Sequence, residues 1–299
     1  MPSFFDEIAK NKVKSIILMS IFVVFFAGII YFVVWAFGGG LLGFLIGLIL
    51  ILIYAGFVYF YGDKITLKIS GAKPADKAQY SQLYSIVEGL SAATQVPMPK
   101  IYIVQDPNPN AFATGRSKKI SAIAVTTGLL SMTNKRELEG VIAHEMSHIA
   151  DNDVQFMMIA IVFAGAIGLI AAVLRSMLFF GGFRRANGEA GLILLAVAVV
   201  VGVLAPIFAL LIRLAISRRR EYMADANGAR LTRDPEGLAN ALTKIKNYTG
   251  QPNVKGVKAA NEVNGSMYFS NPFSGKSLMN IFSTHPPIDE RINRLKKMY

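Results

Sequence analysis

The sequence predicts a mainly α-helical membrane protein: four transmembrane helices in two hairpins, carrying a cytoplasmic domain with a small β-sheet. Three observations lead there. Of 299 residues, 53% are hydrophobic, and the charged residues cluster between long apolar runs. Four of those runs are long enough to cross a hydrocarbon core as helices, which takes about 20 residues for about 30 Å. The basic residues collect at one end of the runs, as they do on the cytoplasmic side of membrane proteins.

The first two runs, 15–37 and 41–61, contain no charged side chain. The first is too long for the core of a signal peptide and lacks a small-x-small cleavage site, so it reads as a retained anchor. Only Gly38, Gly39 and Gly40 join it to the second, which makes the pair a tight hairpin. Runs 154–174 and 190–212 form the second pair. Lys10, Lys12 and Lys14 precede the first span, Lys64, Lys68 and Lys73 follow the second, and Arg213, Arg218, Arg219 and Arg220 follow the fourth. The triple-glycine connection carries none, which places both termini in the cytoplasm; Arg184 and Arg185 in the second outer loop blur the pattern without reversing it. The chain thus divides into an N-terminal hairpin (1–61), a first polar part (62–153), a second hairpin (154–212) and a second polar part (213–299). The net charge of +12 belongs to this membrane pattern. No basic stripe interleaved with aromatics accompanies it, so nucleic acid is not an expected partner.

Within the first polar part, Leu83, Ile86, Val87 and Leu90 have helical spacing across 76–95. Val96-Pro97-Met98-Pro99 ends that helix. Residues 100–105 read as a strand, Asp106-Pro107-Asn108-Pro109 as a turn, and 120–127, rich in β-branched residues, as another strand. Asn134 followed by Glu137 fits a capping box for a helix whose apolar face is Leu138, Val141, Ile142 and Ile149. The second polar part predicts helices at 218–232, 235–248 and 286–298. Residues 250–283, rich in Gly, Asn and Ser, have no clear pattern.

The chemistry is carried by His144-Glu145-Met146-Ser147-His148, which holds two of the three histidines in the chain. On a helix, positions i and i+4 share one face a turn apart. Two imidazoles so placed grip one Zn²⁺, while the intervening glutamate stands close as a general base for a metal-activated water. With no cysteine in the chain, disulfides and thiolate ligation are excluded, and the metal must use nitrogen and oxygen donors.

A catalytic zinc needs a third protein ligand. Glu221 is the expected one, with Asp225 one turn on to bind the far nitrogen of a zinc-bound imidazole. The plainer reading of Glu221 is a surface ion pair with Arg218 or Arg220. For both helices to reach one ion, the intervening residues must cross the membrane an even number of times, and the zinc must lie near the cytoplasmic surface. His285 reads either as a helix-start residue beside Pro286 and Pro287 or as a donor to the oxyanion formed when water attacks a peptide carbonyl. Arg291 either adds positive charge toward bound substrate or faces solvent.

Paired N-terminal spans, Asn110-Ala111-Phe112-Ala113, the His144–His148 motif, a hydrophobic insertion, Glu221–Asp225 and His285-Pro286-Pro287 occur in that order. In this set the chain resembles the HtpX-type heat-shock zinc metalloproteases of bacterial and archaeal membranes and, more distantly, the CAAX prenyl proteases. The resemblance implies a gluzincin-like catalytic domain on the cytoplasmic side of the cell (inner) membrane. It implies one Zn²⁺ per chain and a stress-response role in quality control, with misfolded or damaged membrane proteins as substrates. It also implies that Asn110 and its neighbouring strand hold the substrate backbone; a plain turn residue is the alternative. Two other readings stay open: a prenyl-protein protease, which shares the site, and a membrane scaffold or chaperone with a structural zinc. A transporter fits poorly, since the spans carry almost no polar residues to mark a pathway.

Overall fold

The computed structural model describes residues 40–159, 218–251, 269 and 286–298, with scattered positions between 13 and 31. The described positions between 13 and 31 are all helical. The predicted span at 190–212 lies outside the described residues, as do the predicted span at 154–174 beyond residue 159, most of 250–283, and His285.

Among the described residues one helix is long and apolar enough to cross a membrane: α1, Gly40–Ile69, of 30 residues. The predicted span stopped at 61, but nothing there breaks a helix. The chain turns only where Gly71 takes a left-handed φ of 66°, with its N–H returned to the Lys68 carbonyl. Lys64 and Lys68 therefore ride on the helix rather than following it. Gly47, Ile51, Ala55, Val58, Gly62 and Thr66 are buried along one stripe, at the spacing that keeps side chains on one face. The other faces leave Leu41 73%, Leu42 71% and Ile53 63% exposed, apolar surface suited to lipid rather than water.

The sheet has four strands in the order β1 (Ala72–Pro74), β2 (Lys100–Val104), β4 (Ile120–Thr126), β3 (Ala111–Ser117). β1 pairs antiparallel with β2, β2 parallel with β4, and β3 antiparallel with β4. β3 is therefore an edge strand. The Arg116 guanidinium reaches the Phe60 carbonyl of α1 at 3.4 Å and stacks on the Phe60 ring at 5.0 Å, which ties the apolar helix to the bulged end of β3.

Helix α2 (Ser81–Thr94) begins later than the hydrophobic spacing predicted, because Asp76 caps a turn instead, accepting from the Gln79 N–H at 2.8 Å. α3 (Thr127–Met132) is capped by Thr126. α4 (Lys135–Ala150) begins with the expected capping box: Asn134 Oδ1 accepts from the Glu137 N–H at 3.0 Å, and Glu137 Oε2 accepts from the Asn134 N–H at 2.8 Å. A further helical stretch occupies 153–159. α5 (Arg218–Thr232) and α6 (Pro235–Thr249) follow, and α7 is confined to Ile288–Leu295, shorter than the predicted 286–298. Val141, Ile142, Met146 and Ile149 of α4 share one buried cluster with Ala113 and Ile123 of the sheet and with Leu238 and Leu242 of α6. That core buries α4 on all sides from Gly140 to Ala150 and gives its polar residues a rigid mount.

Candidate metal centre

The capped helix α4 puts His144 and His148 one turn apart, with their rings 4.8 Å between centroids. The two Nε2 atoms stand 3.2 Å apart. Helix α5 crosses α4 here because Gly228 presents no side chain to it: a Cβ at 228 would lie 3.0 Å from the His144 backbone nitrogen. That approach carries Glu221 to the histidines, with Oε2 at 3.7 Å from His144 Nε2 and Oε1 at 3.5 Å from His148 Nε2. Donor atoms about 2.0–2.1 Å from one tetrahedral zinc stand about 3.3 Å from each other. The observed separations match this, and all three residues are buried. The donor set fits zinc.

Both imidazoles are fixed from behind. His144 Nδ1 donates to Asp225 Oδ1 at 2.9 Å. Asp225 in turn takes a two-pronged contact from Arg291, Nε to Oδ2 at 2.9 Å and Nη2 to Oδ1 at 2.7 Å. Burial alone would raise the Asp225 carboxyl, but the Arg291 charge and the hydrogen bonds from His144 and Arg291 outweigh it and hold the group at about 2. Burial, together with the charge of Arg291, lowers His144 to about 4. His148 Nδ1 stands 3.1 Å from Asp153 Oδ2. Burial works against a charged His148, yet the Asp153 hydrogen bond and the nearby carboxylates raise it to about 9 in the metal-free protein. Metal binding there displaces a proton.

Glu145 is buried beside these three residues, and burial, reinforced by Glu221, lifts its carboxyl to about 7. It accepts a hydrogen bond from the Ala113 N–H of β3. That bond follows from strand register. The Thr126 N–H pairs with the Asn110 carbonyl at 3.0 Å, so Asn110, Phe112 and Thr114 turn their main-chain groups toward β4, and Ala111, Ala113 and Gly115 turn theirs outward. Asn110 itself is buried at the head of β3, with its side-chain oxygen accepting from the Ala111 N–H at 3.0 Å.

Of the residues singled out in the sequence, His144, Glu145, His148, Glu221 and Asp225 converge. Arg291 joins them, though neither facing solvent nor open to a substrate: it is 1% exposed and anchored on Asp225. Asn110 sits one residue before the edge strand that reaches Glu145. His285 lies outside the described residues. Three neighbours were not expected. Asp153 and Arg220 lie behind His148, and only their closeness in sequence to His148 and Glu221 hinted at them. Phe269 packs its ring edge-on to His144 at 4.9 Å and under the Arg291 guanidinium at 4.6 Å. Its N–H donates to the Ala111 carbonyl at 2.8 Å. It comes from the unpatterned 250–283 region, where no periodicity marks it.

The profile of peptidase family M48 matches residues 77–299, from just after β1 through the last helix. The chain belongs to peptidase family M48. Among its relatives, a "Protease HtpX homolog" of Caldanaerobacter subterraneus subsp. tengcongensis is 46% identical over 294 residues, 97% of this chain and 96% of that one. One of Dictyoglomus turgidum is 44% identical over 299 residues, 99% and 95% of the two chains. One of Streptococcus thermophilus is 40% identical over 303 residues, 98% and 99% of the two. A crystal structure of S. mikatae Ste24p is matched over 95% of this chain and 67% of that one, at 19% identity and a TM-score of 0.49. As an HtpX-type member of M48, the chain is a membrane metalloprotease of the zinc-dependent kind.

Proposed function

We propose that this chain is an endopeptidase that cleaves misfolded or damaged membrane proteins at the cytoplasmic face of the cell membrane, as quality control under stress. The observation that carries the reading is the zinc-like spacing of His144, His148 and Glu221 around which buried Glu145 is held. Bound there, zinc supplies Lewis acidity and an acidified water.

The chain's own residues do the rest. Glu145 takes a proton from the attacking water and returns it to the leaving amine. Its raised pKa of about 7 suits both directions of transfer near neutral pH. Asp225 holds His144 in the tautomer that leaves Nε2 free for the metal, and Arg291 holds Asp225. The substrate backbone lies extended beside β3 and pairs with its outward groups from Ala113 onward, with Asn110 fixing the head of that strand. His285, just ahead of α7, donates to the developing oxyanion. Two hairpins, 1–61 and 154–212, anchor the catalytic parts 62–153 and 213–299. The packing of α4 against α5 supports this, since both sides of the second insertion must return to one bilayer face. The positive-inside pattern makes that face cytoplasmic.

Glu145→Gln in detergent-purified protein should retain zinc and its melting temperature while cleavage of an unfolded membrane substrate falls by a factor of about 10² to 10⁴. Glu221→Ala should lose zinc by elemental analysis. Cleavage retained by Glu145→Gln sinks the reading. A farnesylated peptide assayed in parallel separates general proteolysis from prenyl-protein trimming.

A further inference from the structure

The environment of His148 repeats that of His144 with different residues. On His144 the order is imidazole, Asp225, Arg291. On His148 it is imidazole, Asp153, Arg220: Asp153 Oδ2 lies 3.1 Å from His148 Nδ1, and its other oxygen, Oδ1, lies 3.5 Å from Arg220 Nη1. Asp153 is 3% and Arg220 8% exposed. A carboxylate this deeply buried is tolerated only with hydrogen bonds and a compensating charge, and Arg220 brings that charge. The guanidinium also lies over the Phe156 ring at 5.5 Å, so it is held by the stretch 153–159 that Asp153 begins.

The two residues occupy a particular place in the chain. Asp153 follows α4 after a tight turn in which Asn152 takes a left-handed φ of 57°, and it stands immediately before the apolar insertion. Arg220 lies in the first turn of α5, after the insertion, and is the residue preceding Glu221. One ion pair therefore joins the two ends of the insertion and touches the metal centre at both: at His148 through Asp153, and at Glu221 through the backbone.

We propose that Asp153 and Arg220 are positioning residues for the metal. On this proposal they fix the orientation and tautomer of His148 and make zinc affinity depend on the two ends of the insertion being held together. The proposal rests on the zinc reading of the site. Loss of such a partner behind a metal-bound imidazole weakens metal affinity roughly 10- to 100-fold. An arginine acting through the aspartate produces a smaller loss and none once the aspartate is gone.

The test is zinc affinity of the detergent-purified full chain, measured by competition with a chromogenic chelator, beside the absorption spectrum of the Co²⁺-loaded protein and the melting of the metal-free form. Asp153→Asn should weaken zinc binding roughly tenfold or more and alter the cobalt spectrum, and it should also lower the metal-free melting temperature, because it leaves the Arg220 charge buried without its partner. Arg220→Met should weaken binding several-fold, Arg220→Lys should recover part of it, and the double variant should bind like Asp153→Asn alone. Equal affinity in Asp153→Asn and wild type overturns the proposal while leaving the zinc reading intact. Additive losses in the double variant overturn the link from Arg220 through Asp153. If Asp153→Asn does not fold, the Arg220→Met and Arg220→Lys pair decides: unchanged affinity in both overturns the proposal. Wild type that takes up no zinc overturns the zinc reading itself, and this proposal with it.

Discussion

Arg291 illustrates how much one buried side chain governs here. Its charge is compensated by Asp225, and the guanidinium also donates to the Phe269 carbonyl at 2.9 Å. Arg291→Met would strand the Asp225 carboxylate in the interior, a cost of about 3–5 kcal/mol. Chemical denaturation should register a loss of that order, with Arg291→Lys intermediate because an ammonium lacks the planar fork; a neutral Arg291→Met would contradict the pairing. Asp234 gives a residue-scale prediction in pH. It caps α6 through the Gly237 N–H at 3.1 Å, and its pKa lies below the ordinary 3.8, chiefly through the hydrogen bond from Arg136. A carboxylate with a depressed folded pKa stabilises fully above its unfolded value and loses that contribution as pH falls through the folded one. Asp234→Ala should therefore cost about 1 kcal/mol at neutral pH. The gap from wild type should close as pH drops from about 4, and a gap independent of pH would remove the charge from the account.

At the scale of elements, the decisive contacts are between helix backbones. A Cβ at Gly140 would lie 2.8 Å from the Leu238 backbone nitrogen, so α4 and α6 touch without side chains between them. Gly140→Ala should separate them and cost about 1–3 kcal/mol. In exposed Gly89, on α2, a Cβ meets nothing within 4 Å. Gly89→Ala should therefore stabilise by about 0.5–1 kcal/mol through helix propensity alone. Opposite shifts of the two melting temperatures test both statements in one experiment, and a shared sign would refute one of them. α1 obeys a different rule: it buries one narrow stripe and leaves the rest apolar. Its membership of the membrane is set by composition and its rotation by the small residues Gly47, Ala55 and Gly62 in the buried stripe.

For the whole molecule, the metal is expected to tune stability rather than create the fold. Val141, Ile142, Leu238 and Leu242 form a core that owes nothing to the ligands. Zinc at a thousand times its dissociation constant adds about 4 kcal/mol, so chelation should lower the melting temperature by several degrees while helical circular dichroism persists. Complete unfolding on chelation would favour the structural-zinc alternative. Much of this architecture was legible beforehand: the apolar helix from its uninterrupted run, α4 from its capping box, and the group able to hold a metal from the i, i+4 pair plus the scarcity of other donors. The late start of α2 was not, because hydrophobic spacing says nothing of Asp76 preferring a turn. Nor was the burial of Arg291, since a lone arginine on a short helix looks the same whether it meets water or a buried aspartate.

Local pattern and composition by themselves determined which residues are able to bind a metal, where the helices α4, α5 and α6 lie, and that the chain keeps company with lipid. These are properties of spacing along one strand of chain. Only the tertiary structure decided that β3 is an edge strand whose Ala113 N–H meets Glu145. It alone also decided that Asp153 and Phe269 stand against the two imidazoles, with Arg220 behind Asp153. Most of those contacts join residues remote in sequence, and the ones made by α5 depend on its crossing of α4 that Gly228 permits, a distance between backbones that no pattern of side chains records.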